Sequence, residues 1–295
     1  MDHIEELRAL PKNHEFFIGY DSDGCVFDSM EIKQKECFCP NLIKHFNLQA
    51  ASKYAREVWE FVNLYSNNRG CNRFNAVIYA MDFMRDRKEF TDRGVKVPEM
   101  NELRKWLKEE TKLGNPALEK KVAACGNEEL KHLLAWSKAV NATIEETVYG
   151  IPPFPGVEDV LKAGKKQADM IVVSQTPVEA LTREWKENNI DHYLNFIAGQ
   201  EHGTKTEHLK YAAKGKYADN KILMIGDAIG DLKAANANGV LFFPIIPGRE
   251  EDSWAKLAGE GLNLFFSMKF EGAYQKALIE ELEKALPSVP PWKHK

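Results

Sequence analysis

Two aspartates, Asp21 and Asp23, stand two residues apart directly after the apolar run Glu15–Tyr20 (EFFIGY). In an extended chain, residues i and i+2 project to the same side. Both carboxylates could then face one pocket, where like charges repel. Something positive must offset that repulsion, or one group must hold a proton. Asp227 follows another apolar run, Ile222–Ile225 (ILMI), and adds a third carboxyl group. Three carboxyl groups around one point suggest a hard divalent cation. Magnesium suits few protein carboxylates, several waters and a substrate phosphate oxygen. Gly24 allows a tight backbone turn close to such a ligand.

Further residues gain meaning from their positions. Asp231 lies four residues after Asp227, near the start of a helical pattern, where negative charge is favoured. Either it orients water or a lysine beside the metal ligand Asp227, or it only caps the helix. Ser174, followed by Gln175 and Thr176, comes after the run Met170–Val173 (MIVV). A hydroxyl and backbone N–H groups there would hold a phosphate oxygen, although serine before a helix is commonly a cap alone. Lys205 opens another helical pattern. It could neutralise both the aspartates and a substrate phosphate, or stay a solvated surface residue.

These side chains need elements that bring them together. Apolar runs at Glu15–Tyr20, Met170–Val173, Phe196–Ala198, Ile222–Ile225 and Val240–Ile246 are unbroken by polar positions, as suits strands buried on both faces. Helical patterns at Val157–Lys165, Val178–Asn188, Lys205–Tyr217 and Asp231–Asn238 alternate with them. That alternation implies parallel strands with right-handed crossovers. Ligands of such a sheet bind beyond the carboxyl ends of its strands. The expected fold is thus α/β, an open sheet whose first strand is separated from the rest by an inserted helical domain. Residues 1–29 and 150–295 make the core, and residues 30–149 the insert. The insert has amphipathic patterns at Ser52–Tyr65, Phe74–Met84, Met100–Leu113 and Glu128–Val140, read as helix-packing stripes. The proline-rich Val148–Pro155 reads as the returning linker.

At this point the pattern resembles the haloacid-dehalogenase-like (HAD) superfamily. Asp21-Ser22-Asp23-Gly24-Cys25-Val26-Phe27-Asp28 is similar to its first motif, Ser174 to its second and Lys205 to its third. Gly226-Asp227-Ala228-Ile229-Gly230-Asp231 is similar to the GDxxxD form of its fourth. Pro153–Val160 (PFPGVEDV) is similar to the stretch where these enzymes re-enter the core. The resemblance covers about residues 15–30 and 150–245. It implies a three-layer, Rossmann-like core with an all-helical cap, of the phosphoglycolate phosphatase or β-phosphoglucomutase type. It implies Mg²⁺ held by Asp21, Asp227 and the Asp23 backbone carbonyl, and phosphate held by Ser174, Gln175 and Lys205. Asp21 would attack phosphorus and form an aspartyl-phosphate. Asp23 would protonate the leaving oxygen and then deprotonate water. A second aspartate at this place argues against the dehalogenases and phosphonate-cleaving members. Cys25 stands where the family usually has Thr, either as neutral packing or as a thiol sensitive to oxidation. The insert is longer than the usual four-helix cap.

Composition bounds the partners. The chain has 295 residues, 44% hydrophobic and 28% charged, with a net charge of −4. That balance gives no long-range attraction for nucleic acid or anionic membranes. The longest apolar runs are too short to span a bilayer. The N-terminus is acidic and lacks a basic-then-apolar signal pattern. Five cysteines without zinc spacing read as reduced thiols in a cytoplasmic protein. Within the insert, Ser66–Arg73 (SNNRGCNR) offers Arg69, Asn72 and Arg73 as possible substrate-reading groups; a solvated turn is the alternative. His132, His192, His202 and His208 show no partner pattern. In the tail Leu286–Lys295, the Pro-Pro-Trp could be a docking element; packing of Trp292 on the core is the simpler expectation. The leading expectation is a phosphatase for a small phosphorylated metabolite. A sugar-phosphate phosphomutase and a catalytically retired binding protein are the alternatives.

Overall fold

The structure is a computed structural model that describes residues 3–294. The chain divides into two compact units. One is Met1–Met30 with Gly150–Pro287, the core unit; the other is Glu31–Tyr149 with Ser288–Lys295, the helical unit.

The core unit is built on five strands: β1 (Phe16–Tyr20), β2 (Ala168–Val173), β3 (Phe196–Ala198), β4 (Ile222–Gly226) and β5 (Leu241–Pro244). Each apolar run read from the sequence forms one of them. All neighbours pair in parallel, in the order β3-β2-β1-β4-β5. Alternation along the strands sorts side chains onto two faces. Ile18, Tyr20, Met170 and Val172 join one buried cluster with the helices Val157–Gly164 and Val178–Glu187. Phe17, Ile171 and Val173 join another with the helices Lys205–Ala212 and Ile229–Asn238. Two apolar clusters separated by one sheet make the three layers. The winding direction reverses between β1 and β4, the switch point where such sheets bind ligands.

Helix ends differ from expectation for local reasons. The helix from Lys205 stops at Ala212, well before Tyr217, because the chain turns through Gly215 at φ 80°. The helix expected from Asp231 begins at Ile229, which puts Asp231 in its first turn.

The helical unit packs its longest helices, Ser52–Leu64, Arg73–Arg85 and Glu128–Thr147, around an aromatic core. Trp59 and Trp136 meet edge-on at 6.1 Å, and Phe74 meets Trp106 at 5.1 Å. Helices at Cys39–His45 and Asn115–Cys125 were not separated by the sequence patterns. The first of these is preceded by a π-type turn over Lys33–Phe38. Pro40 explains that widening: it has no N–H for the regular i→i−4 bond. The tail corrects one expectation. From Ser288 onward it belongs to the helical unit, where Trp292 packs edge-on against Phe61 at 5.3 Å and Phe83 at 6.2 Å. Among the described residues, no helix is long and apolar enough to cross a membrane.

Candidate active site

Strand register puts the predicted residues on one edge. Tyr20 pairs with Val172 of β2 and with Ile225 of β4. Asp21 follows Tyr20 directly, Ser174 comes two residues after Val172, and Asp227 comes two after Ile225. Three adjacent strands therefore deliver their terminal side chains to the same end of the sheet. Asp21 stays tied to that end, its N–H donating to the Ile225 carbonyl at 2.9 Å.

The loop after β1 folds back on itself. The N–H groups of Cys25, Val26 and Phe27 all donate to the Ser22 carbonyl, and Gly24 takes φ 75°. Glycine is the residue that adopts this angle without strain. Two tryptophans from other helices pin the loop from outside. Trp185 donates its indole N–H to Ser22 Oγ at 3.0 Å, and Trp254 donates to the Cys25 carbonyl at 2.9 Å. Cys25 itself is fully buried. Burial, with Asp227, Asp21 and Asp231 nearby, holds its thiol well above the ordinary range. A thiol kept protonated and covered is inert packing.

Lys205 sits between two carboxylates, with Nζ 2.7 Å from Asp21 Oδ2 and 2.6 Å from Asp231 Oδ1. Asp21, Asp227 and Asp231 each place a carboxylate oxygen within 4.8 Å of the other two. All three are at most 5% exposed. Burial pushes Asp21 and Asp231 above the usual carboxylate range; Asp227 adds to this, while Lys205 pulls the other way. Burial works to lower Lys205, but Asp21 and Asp231 outweigh it and hold the ammonium charged. The two directions agree: one ammonium is shared among three carboxyl groups, so negative charge is in surplus.

Asp231 is locked from two further sides. Its Oδ2 accepts the Ala228 N–H at 3.1 Å, which caps the helix Ile229–Asn238. A Cβ on Gly226 would lie 2.5 Å from the same oxygen, so the Gly-Asp pair lets Asp231 rest on bare backbone. Asp231 thus both caps the helix and contacts Lys205.

Asp23 accepts hydrogen bonds from the hydroxyls of Ser29 and Thr176, the latter at 2.7 Å. These two residues were missed in the sequence. Thr176 was visible as a second hydroxyl at the end of β2, but nothing local ties it to Asp23. Ser174 is buried and its Oγ accepts the Thr176 N–H at 3.2 Å. Gln175 turns its amide onto the Gly203 carbonyl at 2.8 Å, bracing the loop that leads to Lys205.

The three residues singled out in the helical unit are engaged inside that unit. Asn72 caps the helix Arg73–Arg85 by accepting the Phe74 N–H, and donates to the Leu113 carbonyl at 3.2 Å. Its side chain thus has a structural role within the unit. Arg69 is buried and donates to the Leu64 carbonyl at 3.0 Å. Arg73 bonds Ser137 and, at 2.6 Å, Asn141 Oδ1; burial pulls its guanidinium down to about 10.

The donor chemistry discriminates between two clusters that could hold a metal. Asp21, Asp227 and Asp231 offer only hard oxygen ligands with surplus negative charge, which fits magnesium. His3, Glu6 and His202 also approach one another. There, however, His202 Nδ1 accepts the Gly199 N–H at 3.2 Å, and Nε2 faces Glu6 at 3.4 Å. A ring accepting through Nδ1 keeps its proton on Nε2, the nitrogen a metal would need. That cluster is a hydrogen-bonded latch.

No curated protein matches the chain. Among solved structures, a candidate phosphoglycolate phosphatase from Lactobacillus delbrueckii subsp. bulgaricus is 17% identical, with a TM-score of 0.50 over 86% of this chain and 98% of the other. A haloacid dehalogenase-like family hydrolase from Xanthomonas campestris is 8% identical, with a TM-score of 0.47 over 90% and 98%. At such identities the likeness concerns the fold alone. The family model for haloacid dehalogenase-like hydrolases matches residues 95–245, just over half of the chain and inclusive of Ser174, Lys205, Asp227 and Asp231. The chain belongs to the haloacid dehalogenase-like hydrolase family.

Proposed function

We propose that this hydrolase cleaves the phosphomonoester of a small metabolite, with Asp21 as nucleophile and Asp23 as general acid and base. One observation carries the reading: Lys205 bridges Asp21 and Asp231 while Asp227 lies within 4.8 Å of both, at the switch point of the sheet. Phosphoryl transfer mainly needs positioning and charge neutralisation. Asp21, Asp227 and the Asp23 carbonyl would hold Mg²⁺, which supplies positive charge opposite the phosphate oxygens.

The protein's own groups then act in sequence. Ser22 N–H donates to Asp21 Oδ1 at 2.8 Å and Lys205 holds Oδ2, so the attacking carboxylate is fixed from both oxygens. Asp21 displaces the leaving oxygen from phosphorus, and that oxygen takes a proton from Asp23. Water then attacks the aspartyl-phosphate, returns a proton to Asp23 and frees phosphate. Asp23 accepts from two hydroxyls, the arrangement expected of the ionised form that takes the water proton. Ser174 Oγ accepts one N–H, which leaves its own O–H for a phosphate oxygen. The five free thiols support a reducing, cytoplasmic setting.

The test is phosphate release from a panel of phosphorylated metabolites with Mg²⁺. Asp21→Asn is expected to lower turnover to below about one hundredth while leaving the fold intact. Chelation should stop turnover reversibly. Activity unchanged in excess chelator refutes the metal reading, and an isomerised product without released phosphate refutes hydrolysis.

A further inference from the structure

The helical unit contains an open cleft of about 600 Å³, within the size range of small-molecule sites. Its walls come from the end of the helix Cys39–His45, the stretch 93–100 and the first turns of the helix Glu128–Thr147. Phe46, Val95 and Pro98 give it an apolar side. His45, Arg93, Lys96 and His132 give it a side that is cationic or can become so. The one carboxylate in the lining, Glu129, is occupied: it accepts the Leu103 N–H at 2.9 Å.

Elsewhere in the unit, Arg85, Arg87 and Arg104 each reach a carboxylate, while Arg73 bonds Ser137 and Asn141. None of the four cleft groups has a carboxylate partner among the described residues. Arg93 instead donates to the Glu89 carbonyl at 3.1 Å and lies over the Tyr54 ring at 4.7 Å. His132 Nε2 donates to the His45 carbonyl at 2.5 Å, and the two imidazoles meet edge-on at 5.6 Å. Burial, then His132 and Lys44, hold the His45 imidazole below its ordinary range. Arg93 and Lys96 thus line one cleft beside two imidazoles with no carboxylate to offset their charge, which an anion would do.

The backbone adds a second sign. Met100 lines the cleft, buried, in the left-handed region at φ 57°. A bulky side chain in that region persists only where surrounding packing imposes it, and such sites concentrate at ligand clamps.

We propose that this cleft binds a small organic oxyanion. Arg93, Lys96 and the two imidazoles would hold the charged group, and Phe46, Val95 and Pro98 the apolar body. The site is separate from the Asp21 chemistry and does not depend on it.

The test is calorimetric titration of the full chain with phenylphosphonate and with benzoate, in chelator. Wild type should bind at least one probe. Binding should survive Lys205→Met, which removes the core cation. It should weaken about tenfold or more in Lys96→Glu and in Arg93→Gln, the usual scale of a lost charge-assisted contact. Lys96 is exposed, so its variant retains the fold, which a thermal melt verifies. Preference for phenylphosphonate assigns a phosphate-bearing ligand, and preference for benzoate a carboxylate. Absence of binding overturns the proposal, as does binding that Lys205→Met abolishes and Lys96→Glu leaves unchanged.

Discussion

Next to Lys205 lies a side chain with the opposite character. His208 is fully buried; neither ring nitrogen makes a hydrogen bond of normal geometry, although the backbone of Gly199 and Gly203 lies beside it. Burial first, then His202 and Lys205, lower it from 6.5 to about 4. The sign follows: the unfolded chain binds a proton near pH 6.5 that the folded chain refuses until about pH 4. Stability from this residue is full above pH 6.5 and lost as pH falls toward 4, by roughly 3 kcal/mol. Asp21 and Asp231, shifted upward, favour folding in acid and partly mask the loss. We therefore expect His208→Leu to flatten the decline of melting temperature between pH 6.5 and 4. Parallel profiles for variant and wild type would rule this out. His208 shows how far single residues were legible. The placement of Asp21, Asp227 and Lys205 could be read because each follows or opens a recognisable element. His208 faces a core assembled from distant segments, and no local pattern announces it. Asp169 is similar. A lone acid in an apolar strand, it accepts from Asn13, His14 and Tyr217 and so anchors the segment before β1.

Among elements, the loops after the strands carry most of the precision. The chain around Gly199 approaches Thr176 so closely that a Cβ there would lie 2.6 Å from its carbonyl oxygen. Gln175 bonds Gly203, and the Val178 N–H donates to Glu201 at 3.0 Å. The loop after β2 and the loop before Lys205 therefore behave as one brace. Gly226 plays the same part for the loop after β4. Gly226→Ala should push Asp231 off Lys205, destabilise by about 1–3 kcal/mol and remove most phosphate release. Unchanged activity with normal denaturant resistance would contradict this. The strands themselves were legible to within a residue or two at most ends, because fully buried parallel strands read as continuous apolar runs. The insert was less so. Helical periodicity located its long helices, but Pro40 and the short segments around it obey tertiary packing. Asn72 carried a readable capping signal, an Asx ahead of a helix, that its neighbouring arginines obscured.

At the scale of the whole molecule, each unit is made of two separate chain segments. The short closing segment matters energetically. Trp292 packs on Phe61 and Phe83, and the Arg87 guanidinium lies over its ring at 4.8 Å. Lys293 pairs with Asp86 at 3.1 Å. Trp292→Ala should cost the helical unit about 2 kcal/mol, less than a fully buried tryptophan because it is only partly buried. Hydrogen exchange would show the loss at the helices Ser52–Leu64 and Arg73–Arg85; protection changes confined to the core unit would refute it. This contact escaped the sequence reading because eight residues with Pro-Pro-Trp carry no address.

That tail also limits what can be transplanted. Splicing residues 31–149 into a relative, the obvious way to move substrate preference between family members, would carry the helices without their last aromatic neighbour. Phe61 and Phe83 would meet water in the chimera. A working graft needs the closing segment as well, encoded more than a hundred residues downstream of the piece it completes.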